Sequence, residues 1–182
     1  MAKLFANSTA CLYLENMKKL IFLGLSALAL AGCSSTISNP NQLIGQWQCT
    51  IEYDDFNIRT VDNLRFSTNG TMTNQGGIYY PIQKSIFEYS LQQNGRWSVK
   101  NGAIVYRIAS ESVQRSHRSQ IWSELQRDSE LQQFEENLFS SLSDSDNNKT
   151  VELIITDFDE KEMDIKQEIK GHKAYKGQCI KH

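Results

Sequence analysis

The chain has 182 residues, 40% of them hydrophobic and 22% charged, with 19 Lys+Arg against 21 Asp+Glu for a net charge of −2. That length suits one globular domain, and two prolines with ten glycines exclude collagen-like, coiled-coil and strongly disordered classes. Without a basic excess there is little to neutralise phosphates, so nucleic acid is excluded as a partner.

The first organised stretch is Met17-Lys18-Lys19 followed by 11 mostly apolar residues, Leu20 to Leu30. Two charges ahead of a short apolar run predict a secretory signal. As a helix the run spans roughly 16 Å, too short for a hydrocarbon core of about 30 Å. Leu30-Ala31-Gly32-Cys33 and Ser34-Ser35 follow directly.

This tetrapeptide resembles the lipobox of bacterial lipoproteins, in the position that family requires. The resemblance covers Met17 to Ser35. It implies cleavage before Cys33, a diacyl thioether on its sulfur, and acylation of the new amino group, palmitate being one such acyl chain. The membrane partner would then be reached through the lipid on Cys33, since two or more acyl chains anchor stably. Ser34, with no Asp after the cysteine, resembles the outer-membrane sorting pattern of enterobacterial-type lipoproteins and implies a periplasm-facing domain in the cell envelope. Residues 1–16, with Glu15 and a broken apolar pattern, fit poorly ahead of a complete signal, so Met17 is the expected start of translation.

The expected organisation is therefore a signal peptide over 1–32, a lipidated tether over 33–43 and one domain over 44–182. Removing 1–32 takes away Lys3, Glu15, Lys18 and Lys19, leaving 150 residues with a net charge of −4. Ser34 to Gln42 is polar, contains Asn39-Pro40, and reaches about 30 Å when extended. Two cysteines remain in the domain, Cys49 and Cys179, in a compartment where disulfides persist. We expect them to be bonded, which sets the first strand beside the last.

From Gly45 the pattern has period two. Trp47, Cys49, Ile51 and Tyr53 share one face, opposite polar neighbours, as in a half-buried antiparallel strand. The alternation returns at Leu64/Phe66, Phe87/Tyr89/Leu91, Trp97/Val99 and Ile104/Tyr106/Ile108. It resumes at Val151/Leu153/Ile155, Met163/Ile165, and a last strand with Tyr175 and Cys179. Asn69-Gly70, Asn94-Gly95 and Asn101-Gly102 lie between these runs and predict hairpins. The expected fold is all-β: an antiparallel meander of eight or nine strands forming a closed or nearly closed barrel, which removes exposed sheet edges.

One segment breaks the pattern. From Ser116 to Ser143 the chain lacks Gly and Pro, and Ile121, Leu125, Leu131, Phe134, Leu138 and Leu142 recur at helical spacing with a slip near Asp128. This predicts one inserted amphipathic helix over about 117–142, broken near Asp128-Ser129. Its apolar stripe covers the sheet or the barrel end, or else meets a partner. Ser143 to Asn148 ends it as a polar loop.

Gly45-Gln46-Trp47 opens the first strand as the Gly-x-Trp of the lipocalin-like group does, and Asn94-Gly95-Arg96-Trp97 resembles a second such hairpin. The resemblance implies a barrel with an internal ligand pocket, here drawn from Trp47, Tyr53, Phe87, Tyr89, Trp97 and Tyr106. These same aromatics could equally fill the interior. The chain departs from lipocalins in having strand character after its helix rather than a helix after the eighth strand.

Catalytic motifs are not evident. His117, His172 and His182 are scattered without metal-ligand spacing, and His117 and His182 are expected in solvent. Gly76-Gly77 reads as a turn or bulge. Asp54-Asp55 and Asp157, Asp159, Glu160 and Glu162 read as solvated turn acids, and Lys170, Lys173, Lys176 and Lys181 as a solvated edge. The expectation is a non-enzymatic lipoprotein with no cofactor and no metal, binding or supporting an envelope protein. The alternative is a lipocalin-like carrier of a small hydrophobic or amphipathic ligand.

Overall fold

A computed structural model describes residues 39–144 and 149–182. The signal peptide, Cys33 and most of the tether lie outside the described residues, as do Ser145 to Asn148.

Eight strands form a closed antiparallel barrel in chain order: β1 (Gly45–Tyr53), β2 (Ile58–Phe66), β3 (Thr71–Tyr80), β4 (Phe87–Lys100), β5 (Ala103–Arg115), β6 (Thr150–Phe158), β7 (Glu162–Gln167) and β8 (Tyr175–Lys181). Closure comes from β1 pairing with β8 from Trp47↔Lys181 to Ile51↔Gly177. Cys49 and Cys179 face each other at the middle of this seam and are disulfide-bonded, with Cα atoms 3.9 Å apart. The expected pairing and the expected all-β barrel are both found.

Residues 40–43, read from sequence as the end of the tether, already belong to the domain. Pro40–Leu43 forms a 3-10 turn capped by the Asn39 side chain. Leu43 is wholly buried, and its carbonyl accepts from Trp47 Nε1 at 2.8 Å. Lys181 Nζ donates to the Gln42 carbonyl at 2.7 Å. The chain thus enters at the barrel end where β1 starts, over a core that includes Trp47, Phe66, Met72, Ile104 and Met163.

Two of the three Asn-Gly pairs do make hairpins. Asn101 and Gly102 both have positive φ, 52° and 76°, and join β4 to β5 as a two-residue loop of the twist that hairpins favour. Gly70 (φ 76°) ends the β2–β3 turn, where Asn69 Oδ1 accepts from Thr71 N at 3.0 Å. Asn94-Gly95 does not turn. It lies inside the 14-residue β4, where the pairing with β5 shifts register. A Cβ on Gly95 would come within 2.1 Å of the Arg107 carbonyl oxygen, so glycine is needed there for close strand approach across a bulge. The Gly-x-Trp hairpin read at Asn94 to Trp97 is therefore corrected to a mid-strand bulge. Gly76-Gly77, read as a turn or bulge, lies within the continuous β3.

β5 pairs with β6 only from Ala103↔Ile154 to Arg107↔Thr150. Its remaining residues, Ile108 to Arg115, continue with β4 alone among the described strands. Two helices, α1 (Ser119–Leu125) and α2 (Ser129–Ser143), fill that space. The insertion is two helices, with the break at the expected place: Asp128 Oδ1 accepts from Glu130 N and Leu131 N at 3.0 Å each and starts α2 as its N-cap. Ile121 and Leu125 of α1, with Leu131, Leu138, Phe139 and Leu142 of α2, pack on Ile78, Phe87, Tyr89 and Leu91. The apolar stripe covers inward-facing strand surface.

Two outcomes are expected from this architecture. The C49A/C179A double variant should lose about 2–4 kcal/mol in urea unfolding, because the bond closes a loop over a sequence separation of 130. G95A should lose about 2 kcal/mol or more, because the new methyl must displace backbone on β5.

Candidate functional site

The inward faces of the strands are not apolar throughout. Between the core at the β1 entry end and the helices lies a belt of polar side chains: Thr60 and Asp62 of β2, Asn74 of β3, Gln93 of β4 and Glu111 of β5. Asn74 Nδ2 donates to Asp62 Oδ1 at 2.7 Å and to Gln93 Oε1 at 3.1 Å. Gln93 Nε2 donates to Glu111 Oε2 at 2.5 Å, and Lys149 Nζ reaches Glu111 Oε1 at 3.4 Å. Gly76 sits directly across from Asp62 in the register, and a Cβ there would fall 2.5 Å from Asp62 Oδ1. The bare glycine is what leaves the carboxylate its place.

Beside this belt is a cavity of about 150 Å³. Tyr53, Thr60, Asp62, Gln93, Tyr106 and Gln167 supply its polar lining, and Ile51, Leu64, Leu91, Val151, Leu153 and Cys49 its apolar lining. Tyr53 and Gln167 end β1 and β7, and the tyrosine hydroxyl donates to Gln167 Oε1 at 2.6 Å. Burial pushes the Asp62 carboxyl above its ordinary range, against the opposing hydrogen bond from Asn74. Burial, then the neighbouring Asp62 charge, pushes the Tyr53 and Tyr106 hydroxyls up as well.

Of the six aromatics proposed from sequence for a pocket, only Tyr53 and Tyr106 line this cavity. Trp47 is buried in the entry-end core. Trp97 packs against Phe66, ring centroids 4.9 Å apart, and donates from Nε1 to the Ser67 carbonyl at 3.0 Å. Phe87 and Tyr89 lie beneath the helices. These four fill the barrel or join it to its cover.

A second cluster secures the helices. Glu135 of α2 is only 2% exposed. Arg115 Nε donates to both its oxygens at 2.9 and 3.0 Å, and Tyr89 OH donates to Oε1 at 3.0 Å. His117 Nε2 lies 3.0 Å from the same oxygen. Because His117 Nδ1 accepts from Glu88 N at 3.0 Å, its proton belongs on Nε2, where it donates to the carboxylate. The Arg115 guanidinium also stacks over Phe139, 3.8 Å from the ring centroid. Desolvation raises the Glu135 carboxyl, but the hydrogen bonds from Arg115, His117 and Tyr89 outweigh it and leave the group below its usual range. The expectation of a solvent-exposed His117 is thereby corrected: its side chain is fully buried, because it turns inward alone, between exposed Ser116 and Arg118, to meet Glu135 of α2. His182 is exposed.

The turn acids also have partners. Tyr175 OH donates to Asp55 Oδ2 at 2.8 Å, which holds that carboxyl below its usual range, and Lys173 meets Asp54 Oδ2 at 2.9 Å. These contacts tie the β1–β2 turn to the β7–β8 connection. An open groove of about 660 Å³ runs over the outer surface near β1 and β8, bordered by Glu52 and Asp164 as well as Lys166 and Lys176, so it favours neither charge sign. Among the described residues, no group of three or more His, Cys, Asp and Glu side chains could hold a metal ion.

No protein-family model matches the chain, and no curated protein matches its sequence.

The Glu135 cluster yields a pH-dependent prediction. A carboxyl whose folded value is depressed stabilises fully above the ordinary glutamate value of 4.5, and that stability is lost as pH falls through the folded value. E135Q should therefore cost about 2–3 kcal/mol at pH 7. Its deficit against the native chain should shrink in denaturant titrations carried below pH 4.5.

Proposed function

We propose that this protein is a lipid-anchored lipoprotein of the bacterial envelope, held through Cys33, that works without catalysis as a protein-binding or structural module in the periplasm. One observation carries this reading: among the described residues the barrel interior leaves only a small cavity. That cavity measures about 150 Å³, whereas the larger groove near β1 and β8 lies on the outer surface. Small-molecule sites ordinarily begin near 300 Å³, so a hydrophobic cargo of a few hundred daltons has no room. The carrier reading is correspondingly disfavoured.

Two further features support an interaction role. The helices carry the half-exposed Trp122 and Phe134, at 42% and 45% exposure, next to Tyr80 and His117. The chain enters the barrel at the opposite end, through Pro40–Leu43. The helical end, with Trp122 and Phe134, therefore lies at the other end of the barrel from the point of chain entry.

The test is a photo-crosslinking residue introduced in cells at Phe134, and separately at Lys100 on the β4–β5 turn of the other end. The reading expects a discrete protein adduct from Phe134 and none from Lys100. A protein without adducts at the helical end, or one purified with a bound lipid of a few hundred daltons by native mass spectrometry, would overturn it.

A further inference from the structure

We propose that the cavity within the barrel is a binding site for a small organic cation, with Asp62 as its counter-ion. This goes beyond the interaction reading and does not depend on it.

The argument begins with an imbalance of charge. Asp62 of β2 faces the interior, opposite Cys49 of β1 and across from Gly76 of β3. The nearest partner is a neutral amide, Asn74, which engages Oδ1. Among the described residues no Lys, Arg or His forms an ion pair with Asp62, and none lines the cavity. A carboxylate buried without a cation is costly, and the group either takes up a proton or is met by an external positive charge.

The walls distinguish these cases. Tyr53 and Tyr106 bring aromatic rings to the same space, and ring faces attract ammonium groups. Gln167 holds its amide there too. The rest is aliphatic, from Ile51, Leu64 and Leu153. A carboxylate, two aromatic rings and aliphatic side chains around one space suit a short alkylammonium and disfavour anions. A cavity of about 150 Å³ accommodates a molecule of roughly benzene size, so the ligand carries few heavy atoms beyond its nitrogen.

Two strand features keep the space as it is. Gly76 leaves the carboxylate its position, and alanine there would push into Oδ1. The same Asn74 Nδ2 that meets Asp62 also donates to Gln93 Oε1, so Asp62 is held on the cavity wall by a chain of contacts from three strands.

The experiment is a titration of the full chain, in detergent, with n-butylammonium chloride and separately with 1-butanol, following the methyl resonances of Leu64, Leu91 and Leu153. The amine should give saturable shifts at these methyls and bind at least about tenfold more tightly than the alcohol. D62N should lose about tenfold or more of the amine affinity and leave the alcohol unaffected. Because a buried pair is screened little, about 0.5 M NaCl should leave amine binding largely intact.

Absence of saturable shifts up to about 50 mM amine would overturn the proposal. So would equal affinity for amine and alcohol, or amine binding unchanged by D62N. Shifts confined to surface resonances and abolished by salt would assign the amine to exposed acids and reject the cavity. Should D62N fail to fold, the comparison of amine with alcohol on the native chain decides alone.

Discussion

The register that sets Cys49 opposite Cys179 is the constraint on which the rest of the structure depends. A meander of eight strands has two free edges, and here they are the chain's own first and last strands. Five residue pairs between β1 and β8, with a disulfide in their midst, remove both edges at once. Closure gives every strand an inside and an outside, so alternate residues of all eight must be accommodated in one enclosed volume. The bulky residues of the entry end, Trp47, Phe66 and Met72 among them, fill half of that volume.

The other half follows from unequal strand lengths. β4 and β5 run to 14 and 13 residues, whereas β7 has six and β8 seven. Long strands beside short ones leave Phe87, Tyr89 and Leu91 projecting beyond the closed part of the barrel, where no opposite wall covers them. The insertion between β5 and β6 supplies that wall, and its amphipathic stripe is used up in doing so. Its flanks, at Trp122 and Phe134, carry its most exposed large apolar side chains. Glu135 fixes the cover in register: a fork of Arg115 bonds and a histidine of set tautomer accept one arrangement of α2 over the sheet.

Much of this was legible in the sequence, though unevenly. Period-two runs exposed β1, β5, β6, β7 and β8, and the spacing of Ile121, Leu125, Leu131 and Leu138 exposed the insertion. β3 was not legible, because Thr71 to Gly77 offers polar residues and two glycines where a buried face ought to be apolar. β4 read as two strands, since Asn94-Gly95 carries the chemistry of a turn; the close approach of Arg107 that makes it a bulge is a tertiary fact. The two errors offset one another in the strand count. The interior polar belt left a trace that periodicity alone discards. Asp62 occupies the same parity as Leu64 and Phe66, and a charged residue on an inward face is a signal in its own right. His117 and Glu135 gave no such trace, because their meeting joins residues from two separate elements.

Asp62 and Glu135 set the terms for reading the interior as a whole. Asp62 lines the cavity within the barrel and Glu135 lies between α2 and the sheet, and desolvation acts on both in the same direction. Glu135 meets a guanidinium, an imidazole N–H and a phenol, and its carboxyl ends below its usual range. Asp62 meets a neutral amide, and its carboxyl ends above. The difference lies in the neighbours, since desolvation raises both carboxyls. A carboxylate supplied with every donor it can accept has its role completed within the fold, and Glu135 is such a group: it holds a helix to a sheet. A carboxylate held on a cavity wall by a glycine and an asparagine, with no cation from the described chain, has a demand that the fold itself does not meet. The chemistry that meets it has to enter from solution, as a proton or as a small cation, and the tyrosine rings beside it favour the cation.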